Sequence, residues 1–249
     1  MTYNQFAYIY DKLMEDAPYD TWAAMTKKIF RDKGISESAS ILDLGCGTGE
    51  IAIRLSKYGY VVTGVDNSNE MLSVAQNKAI DEREKINWIC QDMRDLQGFT
   101  EIDVCISYCD VMNYIVKESD IALTFNHVFA SLRDHGLFIF DVHDDTYADE
   151  SLVDHTFADV GEDVTYIWEC AGGEKSGRLI HDLTFFQQTN ANKYIKFEET
   201  HEQQVYPLAL YEKLLKNAGF RKIEFFNDFQ PENELSSKNR VRNFIIAEK

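Results

Sequence analysis

Carboxylates and glycines stand in this chain at intervals suited to holding a small polar ligand. Asp43 precedes Gly45, Gly47 and Gly49 in the run Ile41-Leu42-Asp43-Leu44-Gly45-Cys46-Gly47-Thr48-Gly49-Glu50. Glycine at every second position permits dihedrals and close approaches that a Cβ forbids, and a helix starting beyond the loop turns its unpaired N–H groups toward a ligand's polar end. Asp66 closes a β-rich run 17 residues after Gly49, where an acid can bind two ribose hydroxyls. For proton transfer the candidates are Asp110, Tyr114, His143 and His201, residue types that serve as general acids and bases.

Two common nucleotide readings of the loop fail. A dinucleotide fingerprint wants a small residue at its sixth position for close helix–strand packing, and Glu50 stands there. A phosphate-binding loop of the ATPase kind needs Lys-Ser/Thr after its last glycine, and Gly49-Glu50-Ile51 supplies neither.

The elements that must position these residues follow from the pattern. Short β-rich runs at 41–44, 60–65, 86–90, 102–107 and 137–142 alternate with helical stretches at 50–57, 68–80 and 119–133. That rhythm predicts an α/β fold with a doubly wound, mostly parallel sheet, which sets Asp43–Gly49, Asp66, Asp92 and Tyr108 at the carboxyl ends of strands, where ligands bind. Two helical pieces, 6–14 and 19–33, come first. Residues 144–205 change character: β-rich runs at 164–169, 178–188 and 194–206, with a turn at 189–193, read as a three-stranded antiparallel cap inserted between residues 1–143 and 206–249. A helix over 208–217 and runs at 220–229 and 240–249 return the chain to the first sheet as a closing hairpin.

Taken together, the motifs resemble those of the class I S-adenosylmethionine-dependent methyltransferases, in which an acid precedes a G-x-G-x-G loop. The resemblance implies a seven-stranded sheet with S-adenosylmethionine as cofactor. By the same resemblance Asp43, Gly45, Cys46, Gly47, Thr48 and Gly49 form the cofactor loop, and Asp66 with Asn67 takes the ribose. Asp92 and Met93 look like the adenine-binding turn, Tyr108 ends the strand facing the sulfonium, and Met71, Tyr19 and Trp22 complete the expected cofactor shell. The N-terminal Phe6-Ala7-Tyr8-Ile9-Tyr10-Asp11 and the β-insert ending Glu198-Glu199-Thr200-His201 are similar to a group of bacterial small-molecule methyltransferases that includes amino-sugar N,N-dimethyltransferases. Those enzymes carry a histidine where this chain has Tyr114, so the acceptor, nitrogen or oxygen, stays open. The expected chemistry is in-line methyl transfer, in which holding the acceptor at attack distance contributes up to ~7–11 kcal/mol. The alternative is a regulatory or partner-docking protein of the same fold that binds the cofactor without turnover.

Composition narrows the partners. The 249 residues are 45% hydrophobic and carry 42 acidic against 25 basic residues, a net charge of −17, which opposes binding to polyanions such as tRNA or DNA. Residues 144–205 alone hold 14 acidic and 4 basic side chains. No run approaches the ~18 apolar residues of a membrane span, and the first residues lack the basic and apolar regions of a signal peptide, so a cytoplasmic protein is expected. Cys46, Cys90, Cys105, Cys109 and Cys170 read as free thiols with no metal-site spacing, and no metal is expected. Besides capping the acceptor site, the inserted sheet has an edge through which a homodimer can pair.

Overall fold

The structure, a computed structural model, describes residues 3–189, 193–227 and 240–249. Helices α1 (Tyr3–Leu13) and α2 (Tyr19–Asp32) lead into β1 (Ser40–Leu44), α3 (Glu50–Lys57), β2 (Val61–Asp66), α4 (Asn69–Asp81), β3 (Asn87–Cys90), β4 (Ile102–Ser107), α5 (Glu118–Ser131) and β5 (Leu132–His143). A short helix α6 (Asp145–Tyr147) precedes β6 (His155–Val160), β7 (Val164–Gly172), β8 (Arg178–Gln188) and β9 (Tyr194–Gln204). The chain closes with α7 (Leu208–Ala218), β10 (Lys222–Asn227) and β11 (Arg242–Glu248).

The first sheet has seven strands in the order β10-β11-β5-β4-β1-β2-β3. Strands β1 to β5 pair in parallel, and β11 runs antiparallel to both of its neighbours. The central parallel strands β1, β4 and β5 are largely buried on both faces, as near-continuous apolar runs such as Ile41-Leu42 and Phe138-Ile139-Phe140 require, while the edge strand β3 is mostly exposed. One face packs on α2 and α3 through Trp22, Phe30, Ile51 and Leu55. The other packs on α5 and α7 through Phe125, Val128, Tyr211 and Leu215.

Residues 155–204 form a separate antiparallel sheet in the order β6-β7-β8-β9. It has four strands where the sequence pattern predicts three. The additional strand β6 is polar and mostly exposed, HTFADV, so it lacks the apolar alternation by which a half-buried strand is read. The turn expected at 189–193 and the closing-hairpin connection fall partly outside the described residues, at 190–192 and 228–239.

Candidate functional site

One cavity of about 620 Å³ opens at the carboxyl ends of β1, β2 and β4 and continues under the second sheet. Its floor is the loop after β1. Gly45 and Gly47 adopt φ of 71° and 53°, the left-handed region that a side chain strains. A Cβ on Gly45 would stand 2.4 Å from Val111 Cγ1, whereas one on Gly47 would meet nothing within 4 Å and would enter open space instead. The Thr48 hydroxyl donates to Asp11 Oδ1 of α1 at 2.5 Å, tying the loop to the N-terminal helix.

The acids around this loop are unequal. Asp66 accepts from the Gly47 N–H through Oδ2 and from the Ser68 N–H through Oδ1, each at 2.9 Å. Burial outweighs these bonds and raises its carboxyl above the usual range. Asp43 is 3% exposed, and its Oδ2 has no hydrogen-bond partner among the described residues. Burial, with the Asp66 charge adding to it, pushes Asp43 up to about 7. Asp92 goes the other way. Arg94 chelates it through Nε at 2.9 and 3.1 Å and Nη2 at 2.5 Å, and those bonds hold its carboxyl low.

Cys46, Thr48, Asn67, Met71 and Met93 line the cavity beside Asp43, Asp66 and Asp92. Tyr19 and Tyr108 line it as well, but the Tyr108 hydroxyl is engaged with Thr26 Oγ1 at 2.9 Å, so the cavity meets its ring. Two residues expected at the cofactor stand apart from the wall. Trp22 is 2% exposed within the α2 core, with the Arg242 guanidinium 5.4 Å over its ring. Gly49 caps the start of α3 and is covered by Trp88, whose ring edge lies 2.6 Å from the Cβ position.

All four proton-transfer candidates line the far part of the cavity. Asp110 follows β4 at φ 51° and sits in a buried cluster. Arg242 Nη1 bonds Asp110 Oδ1 and Asp141 Oδ2, each at 2.6 Å, and His143 Nε2 lies 3.5 Å from Asp110 Oδ2. Burial acts to raise Asp110, but Arg242 and then His143 overcome it and hold the carboxylate far below its usual range. Asp141, sharing the same guanidinium, is raised by burial. Asp110 is thus held as an anion between Arg242 and His143. The His143 Nδ1 is buried and has no partner among the described residues. His201 packs its ring between Phe6 and Tyr114, at 5.5 and 5.9 Å between centroids, and burial lowers its basicity.

Sequence reasoning missed several wall residues. Arg242 comes from the closing strand, where its register partner is His143, and a lone arginine near the end of a chain gives no local signal. Trp168, His181 and Gln203 line the cavity from β7, β8 and β9. The inward alternation of those strands is the signal that could have found them. The Lys and Arg side chains lining the cavity among the described residues, Arg94 and Arg242, are both carboxylate-paired. No group of histidine, cysteine and acidic side chains among the described residues has metal-site geometry.

The chain is similar to known proteins in sequence and in fold. Residues 41–136 fit a family model described as a methyltransferase domain. A protein of Geobacillus sp. strain WCH70, whose name says methyltransferase and gives no acceptor, is 40% identical over 249 residues, covering 100% of both chains. An S-adenosylmethionine-dependent methyltransferase from Clostridium acetobutylicum superposes with a TM-score of 0.87 at 28% identity, covering 99% of this chain and 98% of that one. A sugar N-methyltransferase from Streptoalloteichus shares the fold at TM-score 0.76 and 18% identity, over 96% of this chain and 92% of that one.

Proposed function

The chain belongs to the S-adenosylmethionine-dependent methyltransferases, and from that premise we propose that it transfers the methyl group to a nitrogen or oxygen of a small molecule. The observation that carries this reading is the continuity of one cavity from the glycine loop to the aromatic and histidine wall of the second sheet, at a volume typical of small-molecule sites. The sugar N-methyltransferase of the same fold supports it. With Arg94 and Arg242 both paired, the chamber offers an anionic acceptor group no unpaired Lys or Arg among the described residues. The part of the acceptor inside it is therefore neutral or cationic.

The residues present fit the cofactor. Asp66 keeps acceptor capacity beyond its two backbone bonds and would take the ribose hydroxyls. The unpartnered Asp43 Oδ2 is an acceptor for a further polar group, and the open space at Gly47 lets a ligand lie on bare backbone. Asp92 and Met93 would bracket the adenine, with Asn67 and Met71 beside them. When bound, S-adenosylmethionine supplies an electrophilic methyl group on a sulfonium. Tyr10, Tyr114 and Tyr19 line the same cavity and would present aromatic faces, which favour positive charge, to that group. The acceptor's proton is taken up by His143 or His201, with Tyr114 orienting the nucleophile and Asp110 fixing His143.

Tritiated methyl from S-adenosylmethionine, incubated with a bacterial metabolite extract and with separate protein and RNA fractions, tests this. Label is expected in small molecules. Label confined to RNA or protein rejects the small-molecule reading, and cofactor binding without any transfer points to a regulatory protein.

A further inference from the structure

The second sheet reaches the end of β4 through a line of hydrogen bonds. Trp168 Nε1 donates to His181 Nδ1 at 3.0 Å. Indole is a donor only, so Nδ1 accepts and the neutral imidazole carries its hydrogen on Nε2. That nitrogen lies 3.2 Å from Gln203 Oε1. The amide is thereby oriented with its NH₂ toward the core, where Nε2 donates to Asp110 Oδ2 at 2.7 Å. Burial lowers the basicity of His181, consistent with a neutral ring.

The line ends on a strained turn. Cys109 and Asp110 are consecutive non-glycine residues with φ of 64° and 51°, a conformation that persists only where the surroundings over-determine it. Arg242 grips the Asp110 carboxylate and Asp141 Oδ2 accepts the Asp110 N–H at 3.1 Å, both from within the first sheet. Gln203 adds the tether from the second sheet. Beside it runs a parallel link, in which Asn113 Nδ2 donates to the Gln204 carbonyl at 3.0 Å while Asn113 Oδ1 accepts the His143 N–H at 3.0 Å. Trp168, His181 and Gln203 all line the cavity, so an acceptor seated there touches the line directly.

We propose that Gln203 is a positioning residue for methyl transfer: oriented by Trp168 and His181, it fixes the Asp110 carboxylate and its turn, so that the acceptor wall and the strand end beside the cofactor loop act as one unit. The proposal rests on the small-molecule reading of the same cavity. Gln203→Leu leaves His181 Nε2–H and Asp110 each short of a partner. Gln203→Glu sets a carboxylate where Asp110 now receives an N–H. Thr200→Ala serves as the control, because Thr200 lies on the same strand but is exposed and bonds Asp182 outside the cavity.

Three readouts on the full chain test it. In long-range ¹H–¹⁵N spectra His181 of the wild type is expected as the Nε2–H tautomer, and a predominant Nδ1–H form overturns the proposal. In both Gln203 variants label transfer into small molecules is expected to fall by about tenfold or more, while S-adenosylhomocysteine dissociation constants stay within about threefold, the split that separates positioning from affinity. Amide exchange at 109–110 is expected to quicken in Gln203→Leu and not in Thr200→Ala. Transfer by Gln203→Leu within about twofold of wild type overturns the proposal and leaves the small-molecule reading intact. If the wild type labels no small molecule, that reading fails. The tautomer and the exchange at 109–110 then decide the tether, Nε2–H with faster exchange supporting it and either one's absence overturning it.

Discussion

Asp43 is a carboxylic acid enclosed by the β1 strand end, and its environment makes stability depend on pH in an unusual direction. An unfolded aspartate ionises near ~3.9, whereas here burial, with Asp66 adding to it, moves the group up to about 7. Between those values the folded chain holds a proton that the unfolded chain has released. The stabilisation from this group is therefore complete below about pH 4 and is lost as pH rises through 7. From pH 5.5 to 8 the loss is on the order of 2 kcal/mol. Urea unfolding of wild type and Asp43→Asn at those two pH values checks this: the variant is expected to lose less stability over the interval by about that amount. An equal pH dependence in both proteins rejects the assignment. A residue that costs stability at neutral pH and keeps an oxygen unpartnered is the pattern expected of a ligand-holding acid.

Helix α1 is the element whose role depends most on tertiary contacts. Its Phe6 and Ile9 cluster with Met71 of α4 and with Phe185 and Phe197 of the second sheet, so it straps one sheet to the other over the cavity. Asp11 is its latch, receiving Lys78 Nζ at 2.8 Å as well as the Thr48 hydroxyl, while Lys78 also bonds Glu50 at 2.5 Å. These side chains are partly exposed, so the ion pairs are worth ~1 kcal/mol or less. Asp11→Ala is expected to speed amide exchange over 3–13 by about three- to tenfold and to leave the melting temperature within ~4 °C. Exchange that quickens equally in β1 and β4 would show that α1 is part of the global fold rather than a strap. The latch could not be read from the sequence, because Asp11, Thr48 and Lys78 meet only when three elements pack. The place of the glycine loop could be, since Asp43, the glycines and Asp66 sit at strand ends that apolar periodicity locates. Trp22 looked like a site aromatic because its type suits one, but the α2 stripe turns it into the core. Strand β6 was invisible for the opposite reason: all its residues but the half-buried Phe157 are exposed, and pairing with β7 defines it.

At the scale of the molecule, the loop, Asp66 and Asp92 belong to the first sheet, while Trp168, His181, His201 and Gln203 belong to the second. We propose that this division is functional, with 1–143 and 206–249 holding the cofactor and 144–205 selecting the acceptor. The net charge of −17 fits a chamber that receives neutral or cationic groups. Replacing 155–204 by a short Gly/Ser link removes all four strands of the second sheet and leaves the seven-stranded order untouched. It also bares Phe6, Ile9 and Met71 and frees Asn113 and Asp110 from their tethers. S-adenosylhomocysteine affinity is expected to stay within about tenfold, ~1.4 kcal/mol, while label transfer to small molecules disappears. Calorimetry and the tritium assay on the same protein measure both. Light scattering on the two forms completes the test: a dimer that becomes a monomer yet retains turnover would make the second sheet an assembly surface and move the acceptor site to the wall between Tyr10, Tyr19 and Tyr114.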